Sequence, residues 1–296
     1  MPLLKQDFFL EQPYSYCTYL GRIQSSHSGV FSTDKFGFRT SFYNNQKFDL
    51  KYFNTQISKK KIFVAGNSVP YGVSILNDKS VIHNNINNIN NISEYLGYNL
   101  SLRASTMFQD FICLSRCVQD EDAKIIWIAG LNDILSIFLG DYSHPLFPPW
   151  FGEQNLSSHK WQRESLNLSF KAKFQLLVDS ITQLLKRLSM SNKVIFIWQP
   201  LWNLRKSPLS QNETANIEKF LKRYSGKLGK LYNTKDVQST YLALISYVEN
   251  YFDSTEYSES ISFINSNNIL PQNTLSDVTH LNEDGHLFLA KLVCNL

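Results

Sequence analysis

The sequence predicts an α/β protein of three layers, with helices on both faces of one central parallel sheet and an extended, β-rich segment ahead of it. Three observations carry this. Uninterrupted apolar runs of strand length, Ile62-Phe63-Val64-Ala65, Ile125-Ile126-Trp127-Ile128-Ala129 and Val194-Ile195-Phe196-Ile197-Trp198, lack the alternation of a half-exposed strand and fit strands buried on both faces. Stretches of helical spacing separate them, which implies right-handed βαβ crossovers into a single sheet. Hydrophobic residues make up 43% of the 296 and charged residues 18%, so the chain has material for a sizeable core and is not a disordered polymer.

Residues 1–60 are rich in aromatics with Ser, Asn and Gln between them, and alternate over short pieces such as Gly29-Val30-Phe31-Ser32 and Gly37-Phe38-Arg39-Thr40-Ser41-Phe42. They read as an extension packed on the core, because the first sheet strand follows too closely for an independent domain. Residues 61–296 form the main domain, opened by the strand Ile62 to Gly66. Ile82, Ile86 and Ile89 stand at helical spacing and predict a helix over about 79–96, although its many asparagines are poor helix formers. Asn99 to Arg103 reads as the second strand, Met107 to Cys117 as a helix, Lys124 to Gly130 as the third strand and 132–139 as a helix. The stretch 140–165 holds Pro145, Pro148, Pro149, Trp150, Phe151 and Trp161; it is too long and aromatic for a turn and reads as a lid or as an aromatic mini-core. Leu177, Ile181, Leu184, Leu185 and Leu188, with Lys186 and Arg187 near the end, predict a long amphipathic helix within Leu166 to Met190. The fourth strand, Val194 to Trp198, is ended by Pro200; helices follow at about 212–226 and 238–252, then the short strand Ser262 to Ile264 and a closing helix from Glu283 to Leu296.

Composition removes several function classes. The balance of 29 Lys and Arg against 25 Asp and Glu leaves a formal charge of +4, too dilute for phosphate-backbone binding, so no nucleic-acid partner is expected. The N-terminus has no basic region followed by an apolar run, and no window approaches the roughly 18 apolar residues of a membrane helix, so a soluble, cytoplasmic protein without a membrane span is expected. Cys17, Cys113, Cys117 and Cys294 lack metal-ligand spacing, and Cys113 and Cys117 fit one apolar helix face. His83, His144 and His159 lie away from the strand ends, and His286 falls on a face of the last helix; no pair has a carboxylate or cysteine companion at metal spacing. Neither a GxxxxGK[ST] phosphate loop nor a GxGxxG follows a strand. No metal and no cofactor are expected, and the sequence carries no sign of the oligomeric state.

Ligands of parallel α/β sheets bind beyond the carboxyl ends of the strands, and three of those ends are unusual here. Gly66-Asn67-Ser68 follows the first strand: the glycine permits a tight turn that holds the Ser68 hydroxyl in the open, although Asn67 or Ser68, taken alone, reads better as a helix N-cap and only the other two strand ends shift that balance. Gly130-Leu131-Asn132-Asp133 follows the third strand, where Asn132 is either another N-cap or an amide donor to an oxyanion near Ser68. Near the C-terminus, Asp277-Val278-Thr279-His280 sets an Asp three residues before a His, so that the carboxylate can fix the histidine's tautomer while the outer ring nitrogen takes a proton from a nucleophile.

These residues resemble a known family. Gly66-Asn67-Ser68-Val69-Pro70-Tyr71-Gly72, Gly130-Leu131-Asn132-Asp133 and Asp277-Val278-Thr279-His280-Leu281-Asn282-Glu283-Asp284-Gly285-His286 are similar, in order and separation, to the first, third and fifth blocks of the SGNH, or GDSL-like, hydrolases; the resemblance covers about Lys61 to Leu296. It implies a flavodoxin-like sheet, Ser68 as nucleophile, His280 as general base, Asp277 as its orienter, and Asn132 with the backbone N–H groups of Ser68 and residue 104 as oxyanion donors. Two positions depart from the family. Its second block has the shape Asn-x-Gly-x-x-Gly and reads Asn99-Leu100-Ser101-Leu102-Arg103-Ala104 here, so Ala104 replaces the oxyanion glycine; the main-chain N–H survives this change at negative φ, with a methyl narrowing the pocket. Asn67 stands where the family has Asp. Ahead of the core, Asp34-Lys35-Phe36-Gly37-Phe38-Arg39 resembles a short stretch that precedes the core in some bacterial SGNH-like proteins of surface-polysaccharide contexts. Arg39 in it reads as a surface salt-bridge residue or as an anion contact reaching the site.

The expected function is therefore a serine esterase or deacylase that hydrolyses an O-acyl ester of a small molecule or glycan through an acyl-enzyme on Ser68. The same three residues would serve an O-acyltransferase that passes the acyl group to a sugar hydroxyl. Asn67 and Ala104 motivate the contrary reading, a carbohydrate-binding protein that kept the fold and lost the activity.

Overall fold

Five parallel strands form the central sheet of the computed structural model, which describes residues 14–17, 21–24, 27–28, 31–89, 95–118, 122–139, 168–224 and 226–296. The N-terminal segment supplies small antiparallel pairs: β1 (Tyr14–Cys17) with β2 (Gly21–Gln24), β3 (His27–Ser28) with β4 (Ser32–Thr33), and β5 (Ser41–Tyr43) with β6 (Gln46–Phe48), followed by a short helix α1 (Leu50–Thr55). The sheet itself consists of β7 (Lys60–Gly66), β8 (Tyr95–Asn99), β9 (Lys124–Ala129), β10 (Lys193–Trp198) and β11 (Ile261–Asn265), in the order β8-β7-β9-β10-β11. This order reverses direction at β7, so the crevice between the ends of β7 and β9 is the switch point at which such sheets bind ligands. The connecting helices are α2 (Ser68–Tyr71), α3 (Ile82–Ile89), α4 (Met107–Cys117), α5 (Leu131–Leu139), α6 (Phe170–Ser189), α7 (Gln211–Arg223), α8 (Lys227–Leu231), α9 (Lys235–Asp253), α10 (Ser266–Ile269) and α11 (Glu283–Cys294).

The apolar runs resolve into two differently built faces, since successive strand side chains point to opposite sides. Ile62, Val64, Ile126, Ile128, Ile195 and Ile197 make one face aliphatic, and it is covered by Ile82 and Ile86 of α3 and by Leu289, Ala290 and Val293 of α11. Phe63, Trp127, Phe196 and Trp198 make the other aromatic, against α4, α5, α6 and α9. Edge-to-face contacts organise that side: Trp127 and Phe196 at 5.6 Å between ring centroids, Phe196 and Trp198 at 4.7 Å, Trp198 and Tyr241 at 6.1 Å. The wide rings need more helices to cover them than the branched aliphatics do.

The second strand lies earlier than its apolar pattern suggests. It runs over Tyr95–Asn99, in register with Lys60 to Val64, and not over Asn99–Arg103. The misreading has a physical source: the backbone stays extended after Asn99, and Leu100 N and Leu102 N donate to Val64 O and Gly66 O at 2.7 and 2.9 Å. The helix expected over 79–96 is correspondingly shorter, Ile82–Ile89. Its asparagines, unfavourable as helix formers, act as staples. Asn84 Nδ2 donates to Thr40 O at 2.9 Å while its Oδ1 accepts from Phe42 N at 2.8 Å, and Asn87 binds Phe42 O and both backbone groups of Gly97. The N-terminal segment is thus hydrogen-bonded onto the core by α3.

Arg39 corrects the surface reading. It is fully buried, donates to Gly72 O at 3.1 Å and Ile75 O at 2.9 Å, and pairs with Asp78 at 2.8 Å. Asp78 also accepts from the amide and hydroxyl of Ser32. Arg39 therefore clamps the chain that leaves α2, and Asp34, whose carboxylate accepts from Phe36 N, Phe38 N and the Tyr98 hydroxyl, shapes the turn that delivers it. The stretch 140–165 lies outside the described residues, as do His144 and His159.

Candidate active site

Gly66 ends β7 at φ +131, and a Cβ there would come within 2.1 Å of Ile128 O on the neighbouring strand. Only glycine lets the chain turn this close to β9. Gly130 does the same at the end of β9, at φ +105, where a Cβ would meet the Trp198 ring at 2.9 Å. Because Gly66 stands opposite Ile128 in the ladder, the turns Asn67-Ser68 and Gly130-Leu131-Asn132 leave the sheet side by side.

Ser68 is the first residue of α2, after Asn67, whose Oδ1 accepts from Val69 N at 3.1 Å as its cap. The Ser68 Oγ lies 2.8 Å from His280 Nε2, and His280 Nδ1 lies 2.7 Å from Asp277 Oδ2. The carboxylate can only accept, so Nδ1 carries the ring proton and the Nε2 lone pair is left to receive the serine hydroxyl. Asp277 is 1% exposed, and its other oxygen accepts from Thr279 N at 3.0 Å and His280 N at 2.9 Å. Both carboxylate oxygens are thus occupied by the loop that carries the histidine.

That loop is itself braced. Leu275 and Leu281 form an antiparallel bridge, Ser276 N donates to His280 O at 2.8 Å, and Trp202 N donates to Val278 O at 2.9 Å. Glu213 of α7, 2% exposed, accepts from Thr274 N at 3.0 Å, Leu275 N at 2.9 Å, Ser210 N at 2.8 Å and the Arg205 guanidinium at 2.7 Å. Burial opposes the charge, but the Ser210 and Leu275 amides and Arg205 outweigh it and hold the carboxyl down to about 2. Sequence reading missed Glu213; Ser210-x-x-Glu213 is a capping box, and that spacing is the signal that marks it.

On the opposite side, Asn132 donates one amide hydrogen to Ser105 O at 2.9 Å, which fixes the amide plane and leaves the second hydrogen free to be donated. Segment 102–105 gathers on the same turn, through Leu102 N to Gly66 O at 2.9 Å and Ser105 Oγ to Gly66 O at 3.4 Å. Ala104 differs from expectation: its φ is +57, not negative. An alanine here holds the left-handed backbone that glycine adopts without strain. An alanine there costs about 1–2 kcal/mol against about 0.4–1 kcal/mol that glycine loses in chain entropy. Ala104→Gly is therefore expected to raise stability by about 0.5–1 kcal/mol in denaturant unfolding, and a variant less stable than wild type would contradict the assignment of strain.

Two carboxyls sit beneath this segment. Asp133 accepts from Met107 N at 2.9 Å, and burial pushes it up to about 8, aided by the charge of Asp110; burial pushes Asp110 up to about 7 against its bonds from Ser105 and Trp127. His83 and His286 are buried and held down to about 3 by burial, hence neutral; His286 Nδ1 accepts from Ile82 N and ties α11 to α3. Asn99, of the second block, donates to Pro70 O at 3.0 Å and so braces α2 from β8. Among the described residues no group of three His, Cys, Asp or Glu side chains would hold a metal ion, and no helix is long and apolar enough to cross a membrane.

Fold and geometry define a class: a three-layer α/β/α sandwich in which a serine at the end of a central strand and a histidine and an aspartate from one loop before the last helix form one hydrogen-bonded chain. No family model matches the sequence, and no curated protein does. Solved structures with a similar course include a member of the lipolytic protein G-D-S-L family from Veillonella parvula, at 12% identity and TM-score 0.44, over 80% of this chain and 97% of that one. An extracellular lipase from Streptomyces rimosus is similar at 11% and 0.41, over 80% and 100%. A family two carbohydrate esterase from Clostridium thermocellum in complex with cellohexaose is similar at 10% and 0.39, over 80% and 62%. At these scores the likenesses carry no argument about chemistry, which rests on the residues themselves.

Proposed function

We propose that the protein is a serine esterase or deacylase. The observation that carries this reading is the Ser68 Oγ at 2.8 Å from His280 Nε2, with Nδ1 held by Asp277. Ser68 Oγ attacks the ester carbonyl as its proton passes to His280 Nε2, and Asp277 stabilises the imidazolium that results. Asn132 Nδ2 and the backbone N–H groups of Ser68 and Ala104 receive the oxyanion. The tetrahedral intermediate collapses when His280 returns the proton to the leaving alkoxide, and the acyl group stays on Ser68. Water then attacks the acyl-enzyme, giving its proton to His280, and the second tetrahedral intermediate collapses as His280 returns that proton to Ser68 Oγ, which frees the serine and the carboxylic acid.

A fluorophosphonate tests the reading: in the folded protein it is expected to label Ser68, found by mass spectrometry of the peptide that holds it, and a protein left unlabelled, or labelled at another serine, would overturn it.

A further inference from the structure

We propose that Gln199 is a positioning residue that joins the turn of the nucleophile to the loop of the base, and that Asn67 is its matched partner and not a decayed aspartate. The proposal rests on the reading of Ser68 and His280 as nucleophile and base.

Gln199 follows β10 directly and is fully buried. Its backbone is fixed on both sides, Gln199 N donating to Ala129 O at 2.9 Å and Gln199 O accepting from the Tyr241 hydroxyl at 2.8 Å. The side chain spans two segments of the site: Asn67 Nδ2 donates to Gln199 Oε1, Gln199 Nε2 donates to Thr279 Oγ1 at 2.9 Å, and Thr279 Oγ1 donates to Pro200 O at 2.6 Å. Asn67 precedes Ser68 and Thr279 precedes His280, so this chain runs from one partner of the catalytic hydrogen bond to the other.

The direction of every link is determined. Asn67 Oδ1 is committed to Val69 N, so its amide must face Gln199 as a donor. Gln199 then presents its oxygen to Asn67 and its nitrogen to Thr279, and the Thr279 hydrogen is left for Pro200 O. An aspartate at 67 would set a second acceptor against Gln199 Oε1. Gln199 would have to flip, its oxygen would face Thr279, and the Thr279 hydroxyl would have to abandon Pro200 O, leaving a buried carbonyl without its donor. The residue that departs from the family pattern is therefore the one that Gln199 requires.

The near-isosteric Gln199→Leu removes both amide groups. Its kcat for p-nitrophenyl acetate is expected to fall about 10- to 100-fold with KM unchanged, because a buried side chain that touches no substrate acts only through the placement of Ser68 and His280. Thr279→Val breaks the same chain one link further on, so the double variant loses no more than the more damaging single one. Unchanged kcat in Gln199→Leu, or additive losses in the pair, would overturn the proposal. Should Gln199→Leu not fold, Gln199→Glu carries the test: only its protonated carboxyl donates to Thr279 while accepting from Asn67. Its kcat then declines relative to wild type as the pH rises through that ionisation, and parallel profiles would refute the role. The His280 ring signals in NMR separate this proposal from the reading beneath it. Signals displaced in the variant support positioning even if the wild-type protein hydrolyses no ester, which would remove only the nucleophile assignment; unmoved signals overturn the positioning role.

Discussion

Ser68→Ala is expected to lower kcat/KM for a nitrophenyl ester by roughly 10⁴- to 10⁶-fold, about 5–8 kcal/mol of transition-state stabilisation. The size follows from the geometry. Ser68 Oγ is the hydroxyl that His280 Nε2 contacts, so no other side chain inherits the proton transfer, and on the proposed mechanism what remains is binding and the oxyanion donors, Asn132 among them. His280→Ala should cost nearly as much, and the double variant no more than either, because each removes the same step. Asp277→Asn is more informative. An amide nitrogen facing His280 Nδ1 would favour the tautomer with its proton on Nε2, pointing at Ser68, and would cost about 10⁴-fold while the fold stays intact. Steady-state hydrolysis by purified variants, with circular dichroism as a check on folding, measures all of these. A Ser68→Ala protein within tenfold of wild type would end the serine mechanism.

The parts of this site that were legible in the sequence are those in which residue type and local position suffice. Gly66 and Gly130 punctuate apolar runs, and Asp277 reaches His280 within one loop, so spacing alone announces them. Four of the five strands and the long helices were legible for the same reason: burial of a strand on both faces, or of one stripe of a helix, is written in the period of the apolar residues, whereas the second strand was displaced onto the extended backbone after Asn99. What stayed hidden depends on partners distant in the chain. Arg39 looks like any surface arginine until Gly72, Ile75 and Asp78 close around it. Asn84 and Asn87 look like poor helix formers because their energetic return comes from Thr40, Phe42 and Gly97. Ala104 hides a left-handed backbone behind a residue that ordinarily avoids it. Gln199 is a polar residue at the end of an apolar strand, which spacing marks as unusual without naming Asn67 and Thr279 as what it joins.

Glu213 gives the second large effect, on stability. Its side chain is 2% exposed and that of Arg205 is fully buried, at 2.7 Å, so Glu213→Ala leaves a guanidinium charge without its counterion inside the protein. Breaking such a pair costs about 3–5 kcal/mol, where a surface pair would cost a fraction of that. The loss also frees Thr274 N and Leu275 N, the two amides that anchor the start of the loop holding Asp277 and His280. Catalysis should therefore weaken at temperatures where the rest of the sheet stays folded. Acid provides an independent check. Because the folded protein holds Glu213 down to about 2, below its ordinary range, the stabilisation is complete above the unfolded-state value of about 4.3 and disappears as the pH falls toward about 2. The stability gap between wild type and Glu213→Gln, which keeps the shape and loses the charge, should accordingly be constant near neutrality and narrow through that window. Urea unfolding at a series of pH values measures it. A Glu213→Ala protein within about 1 kcal/mol of wild type would show that the loop is held by something other than this carboxylate, and a Glu213→Gln gap that persists below pH 2 would show that its charge is not what does the holding.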